Sequence, residues 1–495
     1  TVRNSIRSAR TAAAGFLFAG KRGHDMTLET IHIYHTNDVH SRLEHWPRIA
    51  HFIKQQRKRH ELKNEEMLLF DVGDHCDRVD SLTEGLSGKG NVALLNELQY
   101  DNVTIGNNEG ITFSKQDLNA LYDEANFEVL VANLFHKNGH RPHWAFPYDI
   151  HRLKNGITVG VIGITVPYYA FYDLLGWKVA DPWEILPPLI EQVKKKVDIV
   201  ILLSHMGYGF DVEAANALDG IDLIIGAHTH HLLQQGKRVR GTLIAQAGKF
   251  GHYVGQITVA YDRGLKQIVS AEASCIPVAS MKKDEATEQL ISELRAEGKK
   301  QLNEEVTTLK FPLPVSWYES SPFAKLLVES LKEWCQTDIA MVNAGVLLDG
   351  LPSGVVTKSD LHRVCPHPIN PCTVTLRGSE LKEIIAQALR TEMIGLKFQG
   401  LGFRGKMMGA MVYDGIEFEV QRLADGENRA RNILINGKPL ELKESYEVAT
   451  IDMFTFGRLY PAVAQAKEKK YFLPEMLRDV LAWKLSQMDN EWHKV

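Results

Sequence analysis

The chain has 495 residues, a formal charge of −4, 44% hydrophobic and 24% charged residues. That length exceeds one hydrophobic core and implies two or three domains, while the near-neutral balance argues against a protein that coats a nucleic-acid polymer. No run reaches the roughly 18–20 apolar residues of a membrane span, and five scattered cysteines imply no disulfide framework.

Residues 1–25 are basic and rich in Ala and Ser, with Asp25 the one acidic group. A cloning-derived extension, a transit-type peptide and a poor secretory signal are the competing readings. The first is preferred because a domain-like pattern begins abruptly after Met26. With Met26 as the start there is no export signal, so the cytoplasm is the expected location, and an exported one stays open.

Residues 27–275 alternate apolar strand runs with helical stretches, which predicts a layered α/β domain. The predicted strands are 31–37, 67–73, 102–106, 128–134, 157–166, 198–205 and 222–228, then TLIAQAG and HYVGQITVAYD. PRIAHFIKQQRKRHELK and PPLIEQVKKKVD read as helices between them. Residues 276–306 are charged with apolar residues at helical spacing and read as a solvated linker helix. Residues 307–490 mix helices such as FAKLLVESLKEWC with short strands such as SYEVATI, as expected of a separate α+β domain.

Polar groups cluster where the first-half strands end: Asp38 and His40, Asp74 after Gly73, Asn107 after Gly106, His205, then His228 and His230. Strand ends and the loops beyond them are where α/β folds place chemistry. Imidazoles, carboxylates and one amide, without thiolate, suit Zn, Mn or Fe, or a mixed pair. Seven donors are too many for one ion and about right for two, with a carboxylate such as Asp74 able to bridge them. Such a pair binds a phosphoryl oxygen and acidifies water to a pKa near ~7, so that hydroxide can attack phosphorus in line.

The ordered set D-x-H, G-D, G-N, H and G-H-x-H resembles the calcineurin-like metallophosphoesterases. HTNDVH, VGDH, IGNNE, VANL, GVIGIT, LLSHMG and GAHTH resemble the 5'-nucleotidase family within them, over about residues 28–460. The resemblance implies a four-layer αββα sandwich with a two-metal site, followed by a nucleotide-binding α+β domain. It implies that Asp38, His40, Asp74 and His230 hold one divalent ion and Asp74, Asn107, His205 and His228 the other. The implied substrate is a nucleotide or another small phosphorylated molecule.

Two departures bear on mechanism. The family reads Gly-Asn-His-Glu with an Asp two residues on, whereas this chain has Asn108 for the His and Ile111 for the Asp. Asn108 can donate a hydrogen bond to a phosphoryl oxygen but has no titrating proton; His75 and His231, flanking the metal set, are alternative proton sources. In the second half Asn343, Ala344 and Gly345 match a family motif whose Arg is absent here, and Asn370 fills the Asn place of another. Phe403 beside Arg404, and Phe454 or Phe456, are the rings expected to hold a base. Two readings follow: an active two-metal hydrolase, or a nucleotide-binding regulatory protein that keeps the metal set but is catalytically impaired.

Overall fold

Continuous runs of Val, Ile and Leu suit strands covered on both faces, and in the computed structural model they form the inner strands of two stacked sheets. The structure describes residues 28–492 apart from 399, 423–427 and 458, and describes no side chains at 489–492; the readings of residues 1–25 and Met26 fall outside the described residues. β1 (Leu28–Thr36), β2 (Glu66–Asp71), β3 (Asn102–Val103) and β4 (Glu128–Leu130) run parallel in a seven-stranded sheet. Ala145–Phe146 closes one side, and antiparallel Tyr253–Asp262 and Gln267–Pro277 close the other. The second sheet has six strands, with Thr158–Thr165, Ile199–His205, Leu223–Gly226 and Thr242–Ala245 parallel at its centre.

Side chains alternate between the two faces of each strand. Ile31, Ile33, Leu68 and Phe70 therefore meet Val161, Ile201, Leu203 and Ile225 in a dry layer between the sheets. On the outer face of the first sheet, Tyr34 and Leu69 are covered by α1 (Trp46–Lys63), which presents Trp46, Ile49, Ala50 and Ile53 at helical spacing. Pro47 opens that helix and Asn64, at φ 54°, ends it in a left-handed cap. On the far side, Ile162, Leu202 and Ile224 pack against Leu186, Ile190 and Val193 of helix Pro182–Lys194. These layers make the expected αββα sandwich.

Helix Glu285–Gln301 falls inside the expected linker but is docked rather than solvated all round. Thr287, Ile291 and Gly298 are buried on one face. A Cβ at Gly85 would lie 2.1 Å from the Gly298 carbonyl, so backbone touches backbone there. Lys54–Asp284 at 2.9 Å and Arg295–Asp80 at 2.6 Å flank the contact.

The second domain is built on a five-stranded mixed sheet in the order Met411–Asp414, Ile339–Asn343, Ser445–Ile451, Pro371–Arg377, Lys469–Tyr471. Helices Pro322–Cys335, Gly378–Ala388 and Leu477–Trp492 accompany it, and their apolar residues share one core with the sheet. All five cysteines are free and buried, and among the described residues no helix is long and apolar enough to cross a membrane.

Candidate metal centre

Because the inner strands of both sheets are parallel, their carboxyl ends lie on common edges. Asp38 and His40 follow β1, Asp74 follows β2, and Asn107 follows β3 and opens a short helix. His205 ends its strand, and His228 and His230 follow Leu223–Gly226. All seven are brought together. Asp38, His40 and His230 form one group and Asp74, His205 and His228 another, with the donor atoms of each within 4.8 Å of one another. Asp74 Oδ2 lies between the groups, 3.6 Å from His40 Nε2 and 3.5 Å from His205 Nε2. Asn107 Oδ1 joins the second group at 2.9 Å from His228 Nδ1.

Backbone conformation sets these directions. Five of the seven, Asp38, His40, Asp74, His228 and His230, have φ between 51 and 71°, a region non-glycine residues seldom occupy. The strained loops hold each other: Asp38 N–H donates to Gly73 O at 3.0 Å and His40 N–H to Asp74 O at 2.8 Å. Glu109, missed by sequence reasoning, accepts from the N–H groups of Asp74, Cys76 and Gly106 at 2.7–3.0 Å. Asn37 was missed too; its amide donates to Asp38 Oδ2 at 2.7 Å and to Gly248 O at 2.8 Å. Both lie inside the strings HTNDVH and IGNNE, which could have flagged them, but their residue types alone do not separate a loop-bracing role from an ordinary turn.

The donor set fits divalent cations. His205 Nδ1–H donates to Val72 O at 2.6 Å, which aims Nε2 inward, and that buried Nε2 has no hydrogen-bond partner. His40 Nε2 and His230 Nε2 face each other at 3.2 Å, close to the ~3.4 Å spanned by two nitrogens that share a tetrahedral ion at ~2.1 Å. Burial brings His228 down to about 4 and His230 to about 3, leaving both as free bases at neutral pH. Burial opposes ionisation of Asp74, yet His205 and His40 hold its carboxyl below the usual range.

The remaining expected residues separate into two sets. Phe403 and Phe454 are completely buried in the second core, with no ring face open to solvent. Phe403 instead stacks on His367 at 5.2 Å. Asn343 and Asn370 are also buried and donate to the Met408 and Glu475 carbonyls, both at distances of 2.6–2.7 Å. Phe456 is 38% exposed and stacks on Phe171 across the domain boundary. Arg404 reaches from the second domain to Asp77, beside His40. Asn108 lies against His40 Nδ1 at 2.7 Å. His75 is buried against Trp46 and Asn91, and His231 turns to Thr229. Tyr168, whose hydroxyl is 3.4 Å from His228 Nε2, was not anticipated.

Comparison with known proteins agrees with this geometry. The calcineurin-like phosphoesterase signature matches residues 31–232 and the 5'-nucleotidase C-terminal domain signature matches residues 302–465. The chain is 50% identical over 460 residues to the uncharacterized metallophosphoesterase YunD of Bacillus subtilis (strain 168), covering 93% of this chain and 100% of that one. The chain belongs to the calcineurin-like metallophosphoesterases of the 5'-nucleotidase family. It is therefore a metal-dependent hydrolase of a family that uses a divalent metal pair. Among solved structures, the NAD nucleotidase of Haemophilus influenzae shares the fold with a TM-score of 0.64 at 17% identity, covering 94% of this chain and 97% of that one. A putative 5'-nucleotidase of Staphylococcus aureus gives 0.63 at 20% identity, covering 92% and 97%.

Proposed function

We propose that this metallophosphoesterase hydrolyses a phosphate ester or anhydride of a nucleotide or closely related metabolite. The observation that carries the reading is the convergence of seven donors on two adjacent groups with Asp74 Oδ2 between them. Asp38, His40, His230 and Asp74 would hold one divalent ion, and Asp74, Asn107, His205 and His228 the other. Bound there, the ions supply Lewis acidity to the phosphoryl oxygens and acidify the attacking water. The protein keeps His228 and His230 unprotonated, fixes the donors' directions through strained loops and backbone partners, and buries Asp38, Asp74 and His205. Phe456, exposed beside the domain boundary, is the ring we assign to the base, and the seam between the domains is where the substrate would lie.

Asn108 sets the substrate range. Its amide has no proton to give to a leaving group, and a general acid commonly contributes ~10²–10⁴-fold. His75 is held neutral, near 3, by complete burial, and faces Trp46 rather than the donors. Substrates whose leaving groups need no protonation, pyrophosphates and aryl phosphates, should therefore turn over faster than nucleoside monophosphates. The test is hydrolysis with added Mn²⁺ of p-nitrophenyl phosphate, nucleoside monophosphates and nucleotide pyrophosphates, with Asp74→Asn as the blank. We expect activity that disappears in the blank and a kcat order that follows leaving-group acidity. Equal kcat on aryl phosphate and nucleoside monophosphate would remove the leaving-group argument; no turnover above the blank by a chain holding two ions would favour the nucleotide-binding, catalytically impaired reading.

A further inference from the structure

We infer that the second domain controls loading of the His40 side of the metal centre through one ion pair, Arg404–Asp77. The inference rests on the two-metal reading above and adds a coupling between domain docking and metal affinity.

Asp77 belongs to the loop after β2, three residues beyond Asp74, and is 2% exposed. Its Oδ1 accepts from Val79 N–H at 3.1 Å. Its Oδ2 accepts from both Arg404 Nη2 at 2.6 Å and Arg404 Nε at 3.1 Å, and lies 3.4 Å from His40 Nδ1. One carboxylate oxygen thus joins a guanidinium from the second domain to the back of an imidazole whose front faces Asp38, Asp74 and His230.

That arrangement has a defined chemical role. A histidine that gives Nε2 to a cation carries its proton on Nδ1, and a carboxylate accepting that proton orients the ring and raises its donor strength. The Asn108 amide, 2.7 Å from the same nitrogen, can also turn its oxygen to it, but only Asp77 brings charge. Arg404 decides where that charge sits. Its backbone N–H donates to His367 Nδ1 at 2.9 Å, and His367 Nε2 is in turn tied to Val346 O at 2.8 Å, so the guanidinium is presented from a fixed point of the second domain. Without it, the Asp77 oxygen that faces His40 loses its charged partner, and the carboxylate is free to turn and draw the imidazole off the direction that its other partners share. Asp77 and Arg404 are therefore positioning residues, and the cage is complete only when the domains are docked.

The experiment measures Mn²⁺ and Co²⁺ binding to the full chain by equilibrium dialysis with metal analysis, alongside the Co²⁺ absorption spectrum. The proteins are the wild type, Arg404→Ala, Arg404→Lys, Asp77→Asn and the Asp77→Asn/Arg404→Ala double variant. Removing a partner that orients a metal-binding histidine typically weakens affinity ~10–100-fold. We expect that loss at one of two ions in Arg404→Ala and Asp77→Asn, partial recovery in Arg404→Lys, and no further loss in the double variant. The Co²⁺ spectrum should change in the component of the weakened ion alone. Unchanged affinity for both ions in Arg404→Ala, or losses that simply add in the double variant, would overturn the inference while leaving the two-metal reading intact. A wild type that binds no ion pair, or an Asp74→Asn variant that retains it, would defeat the two-metal reading and the inference with it. The double variant removes the buried carboxylate and its part-buried guanidinium partner together, so it serves where Asp77→Asn alone fails to fold.

Discussion

His205 shows how single residues prepare this centre. Burial works to keep its imidazole neutral, yet Asp74 at 3.5 Å prevails and raises it to about 10 when no cation is present. A metal ion must therefore displace a proton from His205, and metal affinity must strengthen as pH rises towards that value, by up to ~10-fold per pH unit for one displaced proton. Calorimetric titration with Mn²⁺ in buffers of different ionisation enthalpy, at pH 6–8, should show proton release on binding. Uptake with no proton release would contradict this account of His205. The same residue shows what a sequence does and does not disclose. Its place at the end of ILLSH is plain from the apolar run, whereas the bond from Nδ1 to Val72 O joins residues 133 positions apart and depends on the two sheets being stacked.

At the scale of elements, the loop after β2 and the loop after β3 meet backbone to backbone. Gly73 sits at φ +83°, and a Cβ there would lie 2.3 Å from Gly106 N; a Cβ on Gly106 would lie 2.1 Å from Asp74 Oδ1. Gly106→Ala should thus push Asp74 out of its place between the two donor groups. The expected cost is ~1–3 kcal/mol of stability, with loss of tight metal binding while far-ultraviolet circular dichroism is retained. Metal affinity equal to wild type would show that the loop yields without moving Asp74. Every strand bearing a donor was legible, because the apolar runs are long and end on polar residues. Strand ends were less legible: 102–106 reads as one strand, but Thr104, Ile105 and Gly106 leave the ladder to aim Asn107, and 128–134 breaks between Leu130 and Leu134. The left-handed φ of five donors is invisible in composition, since Asp and His there look like any other turn residues. The burial of Phe403 and Phe454 was invisible too, because a ring beside a motif and a ring in a core read alike.

At the scale of the molecule, a buried charge cluster joins the domains. Glu84 accepts from Arg78 at 2.7 and 3.1 Å, and from Arg478 of the last helix at 2.7 and 2.9 Å. His362 adds a bond to the Arg78 carbonyl at 2.8 Å. Breaking a buried pair by removing one partner costs ~3–5 kcal/mol, so Glu84→Gln should lower the urea midpoint by an equivalent amount; an unchanged midpoint would show that the cluster carries no net stability. Burial raises the Glu84 carboxyl, but Arg478 and Arg78 outweigh it and hold it below its ordinary value of 4.5. Its contribution is therefore complete above about 4.5 and declines as pH falls through and below that value, where domain separation should be seen by scattering before the sandwich itself unfolds. The sandwich imposes a last consequence. Asp38, His40, Asp74 and Asn107 hang from one sheet and His205, His228 and His230 from the other, so each donor group spans both sheets and its width is gauged by the thickness of the apolar layer between them. Residues such as Phe70 and Val161, which never touch a ligand, act as spacers, and a change in their volume should be felt first as a change in which cation fits.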